Sequence, residues 1–134
     1  MPSFTLPPSA EDFTTMAEAA LAALPASLSR HLRGVSILVE DRPDAALLKA
    51  MDLDSPWELT GLYQGVPMTQ ASIGDVRQGP DVILLFREPI LLEWIETGES
   101  LPRLVRSVLV HEIAHHFGFS DADIERLEAD ADDA

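Results

Sequence analysis

Cysteine is missing from this 134-residue chain, and its absence removes disulfides, thiol nucleophiles and cysteine-ligated zinc together. Basic residues are scarce as well: eight arginines and one lysine, Lys49, stand against 23 acidic residues, for a formal net charge of −14. Contact with nucleic-acid phosphates needs a basic surface, so DNA and RNA drop out as partners, and an anionic membrane surface is disfavoured on the same ground. No apolar run approaches the roughly 18 residues of a membrane span. Met1–Ala10 lacks the basic start and apolar core of an export signal, which sets the expectation of a cytoplasmic protein. What is present is balanced: 46% hydrophobic and 24% charged residues, the composition of a chain that buries a core. The length suits one domain. Residues 1–134 are therefore read as a single domain, with a proline-containing lead-in over 1–9 and an acidic tail over 130–134.

Periodicity and punctuation predict an α+β fold, in the order αα-β-α-β-loop-β-α-α-α. Ser9 is the cap of a first helix in which Phe13, Met16, Ala17, Ala20, Leu21 and Leu24 recur at helical spacing. Pro25 opens a second segment over Ala26–Leu32. Val35–Val39 and Leu59–Val66 read as strands, the second marked by Gly61 and Gly65 as bulged or at an edge. Residues 67–81 form a long loop, of the length that is usually functional. Val82–Phe86 is a continuous apolar strand, the most buried of the chain. Helices follow from Pro89 to about Ile95, from Ser100 to Phe117 and from Ser120 to about Ala129. The expectation is a short mixed sheet of about three strands packed with helices.

Three of the four histidines lie within six residues, in His111-Glu112-Ile113-Ala114-His115-His116-Phe117-Gly118. On a helix, His111 and His115 project from one face a turn apart, so two imidazoles reach one metal ion. Glu112, rotated by about 100° from His111, stands beside the metal where it can take a proton from a metal-bound water. Val108, Leu109, Val110, Ile113, Ala114 and Phe117 surround the three, so the helix reads as buried, and burying His, Glu and His together is costly without a partner that satisfies them. A metal does so. After Gly118 lets the chain reverse, Asp121 is close enough to fold back as third ligand, with Glu125 and Asp123 as alternatives.

His111-Glu-x-x-His115-x-x-Gly118-x-x-Asp121 resembles the zincin metallopeptidase signature, in the variant whose third ligand is aspartate. Val39-Glu-Asp-Arg-Pro43, Leu59-Thr-Gly-Leu-Tyr-Gln-Gly-Val-Pro67 and Ile83-Leu-Leu-Phe-Arg-Glu-Pro89 extend the resemblance over roughly residues 10–125, to the small bacterial zincin-like proteins known as minimal zincins. The resemblance implies a small zincin-like domain, Zn2+ as cofactor held by His111, His115 and Asp121, and Glu112 as general base on zinc-bound water. It implies hydrolysis of peptide or similar amide bonds in a peptide or protein substrate laid along an edge strand, for which Leu59–Val66 is the candidate and the 67–81 loop a lid. The methionine turn of larger relatives is absent, because Met1, Met16, Met51 and Met68 all precede the motif.

The final helix is then the material left to close the site. Ala122, Ile124, Leu127 and Ala131 form a partial apolar stripe, with Ile124 and Leu127 expected to dock near Phe117 and hold Asp121. Asp123, Glu125, Glu128 and Asp130 are expected to face water. Tyr63 reads as an amphipathic residue on a half-buried strand or as an oxyanion donor near the metal. His116 points away from the His111 and His115 sector and is a candidate for substrate or transition-state contact. Arg87 is expected to pair with an acid, His31 to lie on the surface, and Trp57 and Trp94 to fill the core or its rim. A second class of function fits the same residues: a metal-binding interaction or regulatory module with little or no peptidase activity. The intact Glu112 opposes it, since a structural site has no need of a base.

Overall fold

Ser9 opens the first helix. Its hydroxyl accepts from the Asp12 amide at 3.1 Å and the Asp12 carboxylate accepts from the Ser9 amide at 2.8 Å, a reciprocal cap from which α1 runs over Ala10–Ala22. The computed structural model describes residues 6–30, 32, 34–65 and 81–133, with backbone alone for 130–133. His31, Val66 and the expected loop over 67–80 lie outside the described residues. After α1 come α2 (Ala26–Ser29), β1 (Ser36–Glu40), α3 (Ala45–Ala50), a 3-10 turn (Pro56–Glu58), β2 (Gly61–Gln64), β3 (Val82–Phe86), α4 (Arg87–Thr97), α5 (Leu101–His116) and α6 (Asp121–Asp133).

The order matches the expected one, and the boundaries differ for physical reasons. β2 starts two residues late because the Leu59 amide still closes the 3-10 turn onto the Pro56 carbonyl. α4 begins at Arg87, directly from β3. Pro89 then falls in the first turn, where a missing amide hydrogen costs nothing. α6 continues four residues beyond Ala129, and α2 stops at Ser29, short of the expected Leu32.

β3 is the middle of a three-stranded mixed sheet ordered β1-β3-β2. β1 runs parallel to it, with Ser36 opposite Val82 and Glu40 opposite Phe86, and β2 runs antiparallel, with Gly61 opposite Leu85 and Gln64 opposite Val82. Central placement explains the unbroken apolar run, since both faces of β3 are covered. Ile83 and Leu85 join Phe13 and Ala17 of α1 and Val105, Leu109 and Ile113 of α5 in the main core. Leu84 and Phe86 pack with Leu59 on the opposite face, beside Leu47 and Leu53. Arg87 pairs with Asp41 at 3.4 Å, as expected, and its Nε also donates to the Pro8 carbonyl at 2.6 Å, tying the lead-in to the end of β3.

Among the described residues, β2 is an edge strand. The Phe86 amide donates to the Thr60 carbonyl at 2.9 Å, so in the antiparallel alternation Thr60, Leu62 and Gln64 face β3 while the backbone of Gly61 and Tyr63 turns outward. Gly61 owes its place to close approach rather than to a bulge: a Cβ there would lie 2.6 Å from Val108 Cγ1 and 3.2 Å from the Leu84 carbonyl oxygen, with Glu112 Cγ at 3.5 Å. The glycine lets β2 press against α5 beside the glutamate of the motif. Gly61→Ala should therefore destabilise the fold by about 1–3 kcal/mol, the usual range for overpacking, and Val108→Ala in the same chain should recover part of that loss. Denaturant midpoints of the two single variants and the double variant check this; a Gly61→Ala midpoint equal to the parent's would mean that β2 and α5 do not meet so closely.

Candidate metal centre

The first turn of α5 carries Pro102, and Ser100 occupies the cap position without a side-chain cap bond. Eight of its residues are buried, from Leu101 to Ala114, which holds the motif rigidly against the sheet. Its end is equally defined. Gly118 has φ +79°, a left-handed conformation that favours glycine. The Phe119 amide donates to the Ala114 carbonyl at 2.8 Å and the Gly118 amide to the His115 carbonyl at 3.1 Å, the pair of bonds that closes a helix and turns the chain back. Ser120 and Asp123 cap each other at 3.1 and 3.2 Å, and α6 returns along α5.

This reversal brings Asp121 Oδ1 to 3.6 Å from His115 Nε2. The rings of His111 and His115 have centroids 6.1 Å apart. His111 Nδ1 lies 2.8 Å from the Ser107 carbonyl oxygen and 3.2 Å from Glu128 Oε1, so its Nε2 is the nitrogen turned to other use. Asp123 is committed elsewhere, to the cap and to an ion pair with Arg126. The Ser120 hydroxyl above all, then the Ser120 amide and Arg126, hold its carboxyl below the usual range.

Glu112 stands beside the two histidines. Burial pushes its carboxyl above the usual carboxylate range, while a hydrogen bond from the Tyr63 backbone amide, and then His115 and His111, pull the other way. The outward-facing backbone of β2 thus meets the motif glutamate. The Tyr63 side chain is that of an amphipathic strand residue: its ring is buried, its hydroxyl donates to Asp81 at 2.6 Å, and it stacks on His116 with centroids 3.9 Å apart. His116 accordingly lies toward β2, with Phe117 edge-on to both rings.

Among the described residues, no three His, Asp or Glu side chains already stand at metal-holding distances. The donors nevertheless suit zinc. Two ligands of a tetrahedral zinc are about 3.4 Å apart, close to the spacing of His115 and Asp121. Two imidazoles on one zinc have centroids about 5 Å apart, so the rings of His111 and His115 need to close by about 1 Å, within the reach of a rotamer adjustment at half-exposed side chains. A cleft of about 280 Å³ is lined by residues including Ser107 and Glu128, so it adjoins the Nδ1 side of His111, where those two residues meet the ring.

A family model described as zincin-like metallopeptidase matches residues 32–131. The chain belongs to that family. The zincin-like chain has the small α+β fold expected of it, and the family points to a metal-dependent role of the peptidase type, its members typically binding zinc. No curated protein matches the chain significantly. No helix among the described residues is long and apolar enough to cross a membrane.

Two residues at the site escaped the sequence reading. Glu128, expected to face water, instead accepts from the Ser107 hydroxyl at 2.9 Å and reaches His111. The signal was there in the spacing: Asp121, Ile124 and Glu128 fall on one face of α6, and the charge run around them hides it. Asp81, the partner of Tyr63, is 18 residues away and had no local signal. Ile124 and Leu127 are buried in the main core, in the cluster that also holds the apolar side chains of α5. Ile124→Ser with Leu127→Ser should lower stability by several kcal/mol, since emptying each such site costs about 2–5 kcal/mol, and amide protection in α6 should be lost. A thermal midpoint and hydrogen-exchange pattern matching the parent's would mean that α6 is held by something else.

Proposed function

We propose that the chain is a zinc-dependent peptidase that hydrolyses peptide or similar amide bonds, with His111, His115 and Asp121 holding the metal. The observation that carries this reading is the meeting of Glu112 with the Tyr63 amide: the candidate base sits where the outer edge of β2 passes the motif helix. When bound, zinc supplies Lewis acidity that activates water and polarises a carbonyl. A peptide laid along β2 runs past the Glu112 carboxylate, which keeps the Tyr63 amide as its own donor. As the water oxygen bonds to the carbonyl carbon, a Glu112 carboxylate oxygen takes its proton. As the C–N bond breaks, the same oxygen returns the proton to the leaving nitrogen. Burial of the surrounding helix keeps that carboxylate in one orientation. Tyr63 serves through its backbone amide, and the stacked rings of Tyr63 and His116 form a wall beside it.

Purified without chelator, the protein should carry about one zinc per chain, because the donors define one site, and His111→Ala or His115→Ala should each lose it. Elemental analysis checks this, and a parent chain that neither holds nor takes up a transition metal contradicts the reading. Glu112→Gln should keep zinc and fold while losing hydrolysis of a degenerate peptide library by about 10²–10⁴-fold, the usual share of general-base catalysis. Unchanged turnover would remove Glu112 from the role of base. A zinc-loaded parent that cleaves nothing in the library would favour the interaction or regulatory module instead.

A further inference from the structure

We propose that Glu128 is a positioning residue for the metal site: from α6 it holds the imidazole of His111 with its proton on Nδ1, so that the lone pair of Nε2 is the one offered to metal. This rests on the reading of His111 as a ligand.

Three oxygens surround Nδ1. The Ser107 carbonyl is at 2.8 Å, Glu128 Oε1 at 3.2 Å and the Ser107 hydroxyl oxygen at 3.4 Å. A carbonyl and a carboxylate can only accept. The hydroxyl hydrogen of Ser107 is directed to Glu128 Oε1, at 2.9 Å, so that oxygen too presents lone pairs to the ring. An unprotonated Nδ1 would face repulsion from every side. A protonated one is satisfied, and the tautomer follows. The Ser107 carbonyl alone is a weak determinant, because it lies four residues before His111, where it also serves the helix backbone ladder. The carboxylate is the partner added from outside the helix. Its charge also complements the positive charge that develops on an imidazole bound to a cation, as carboxylates behind ligating histidines do.

α6 therefore carries two carboxylates on one face, seven residues apart, toward two of the three histidines of α5: Asp121 toward His115 and Glu128 toward His111. The two differ in setting. Asp121 is 96% exposed and free to move onto a metal, whereas Glu128 is 33% exposed and anchored by Ser107. That contrast suits a ligand in the first case and a support in the second.

The test compares Glu128→Ala, Glu128→Gln and Ser107→Ala with the parent. In metal-free protein, at a pH where the imidazole is neutral, long-range ¹H–¹⁵N spectra of His111 should show the Nδ1–H tautomer in the parent. Glu128→Ala should show a mixture. Zinc affinity should fall about 10–100-fold in Glu128→Ala, the usual loss for a support behind a ligating histidine. Glu128→Gln keeps an acceptor oxygen, so it should preserve the tautomer and recover part of the affinity. Ser107→Ala should leave Glu128 on the ring and cost less. Because the alanine variant also removes a contact between helices, thermal midpoints are recorded alongside, and the isosteric glutamine variant guards against loss of fold. Parent-like tautomer and zinc affinity in Glu128→Ala overturn the proposal, leaving Glu128 as a contact between helices. A parent that binds no zinc overturns the metal reading itself, a different result from a zinc-binding parent unaffected by Glu128→Ala.

Discussion

The antiparallel return of α6 along α5 is the constraint on which the rest of this molecule depends. α5 alone presents two histidines and a glutamate on a helix whose other faces are buried. The carboxylates that reach His115 and His111, Asp121 and Glu128, come from α6, and α6 is placed by three local devices: the left-handed Gly118 with its closing hydrogen bonds, the Ser120–Asp123 cap, and the burial of Ile124 and Leu127. Apolar burial of two aliphatic side chains is worth about 1.5–3 kcal/mol each. It is enough to dock a short acidic helix that would be marginal on its own in water. A helix of this composition, with seven acids between Asp121 and Ala134, would otherwise be driven from an acidic protein by repulsion.

The second constraint is the approach of β2. Without a side chain at Gly61, the edge strand comes close enough for the Tyr63 amide to reach the Glu112 carboxylate. Sheet and motif helix are thereby joined through Glu112 rather than only through the core. β2 and the motif glutamate are held in one geometric unit, which suits the proposed hydrolysis of an extended peptide.

Much of this was legible in the sequence because it rests on local physics. Caps at Ser9 and Ser120, the stop at Gly118, the apolar run of β3 and the one-turn spacing of His111 and His115 each follow from a few neighbouring residues. The apolar stripe of α6 was legible for the same reason. What was hidden depends on distant partners. Gly61 signalled a bulge or an edge, but not the close approach to α5, because the Val108 methyl group that excludes a side chain there is 47 positions further on. The hydroxyl of Tyr63 is taken by Asp81, and no periodicity links the two. Glu128 is the instructive case: its phase on the helix put it with Ile124, yet hydropathy assigned it to water. Where a carboxylate has a hydroxyl donor and an imidazole to meet, a helix face can bury charge, and hydropathy alone misplaces it.

Sharing of one metal by His111, His115 and Asp121 is read directly by X-ray absorption at the zinc edge of the zinc-loaded parent. The expected spectrum is that of a single site of four light ligands at about 2.0–2.1 Å, with the multiple-scattering signature of two imidazoles and none of sulfur. A spectrum with one imidazole or none, or one that fits only a fully hydrated ion, would contradict it.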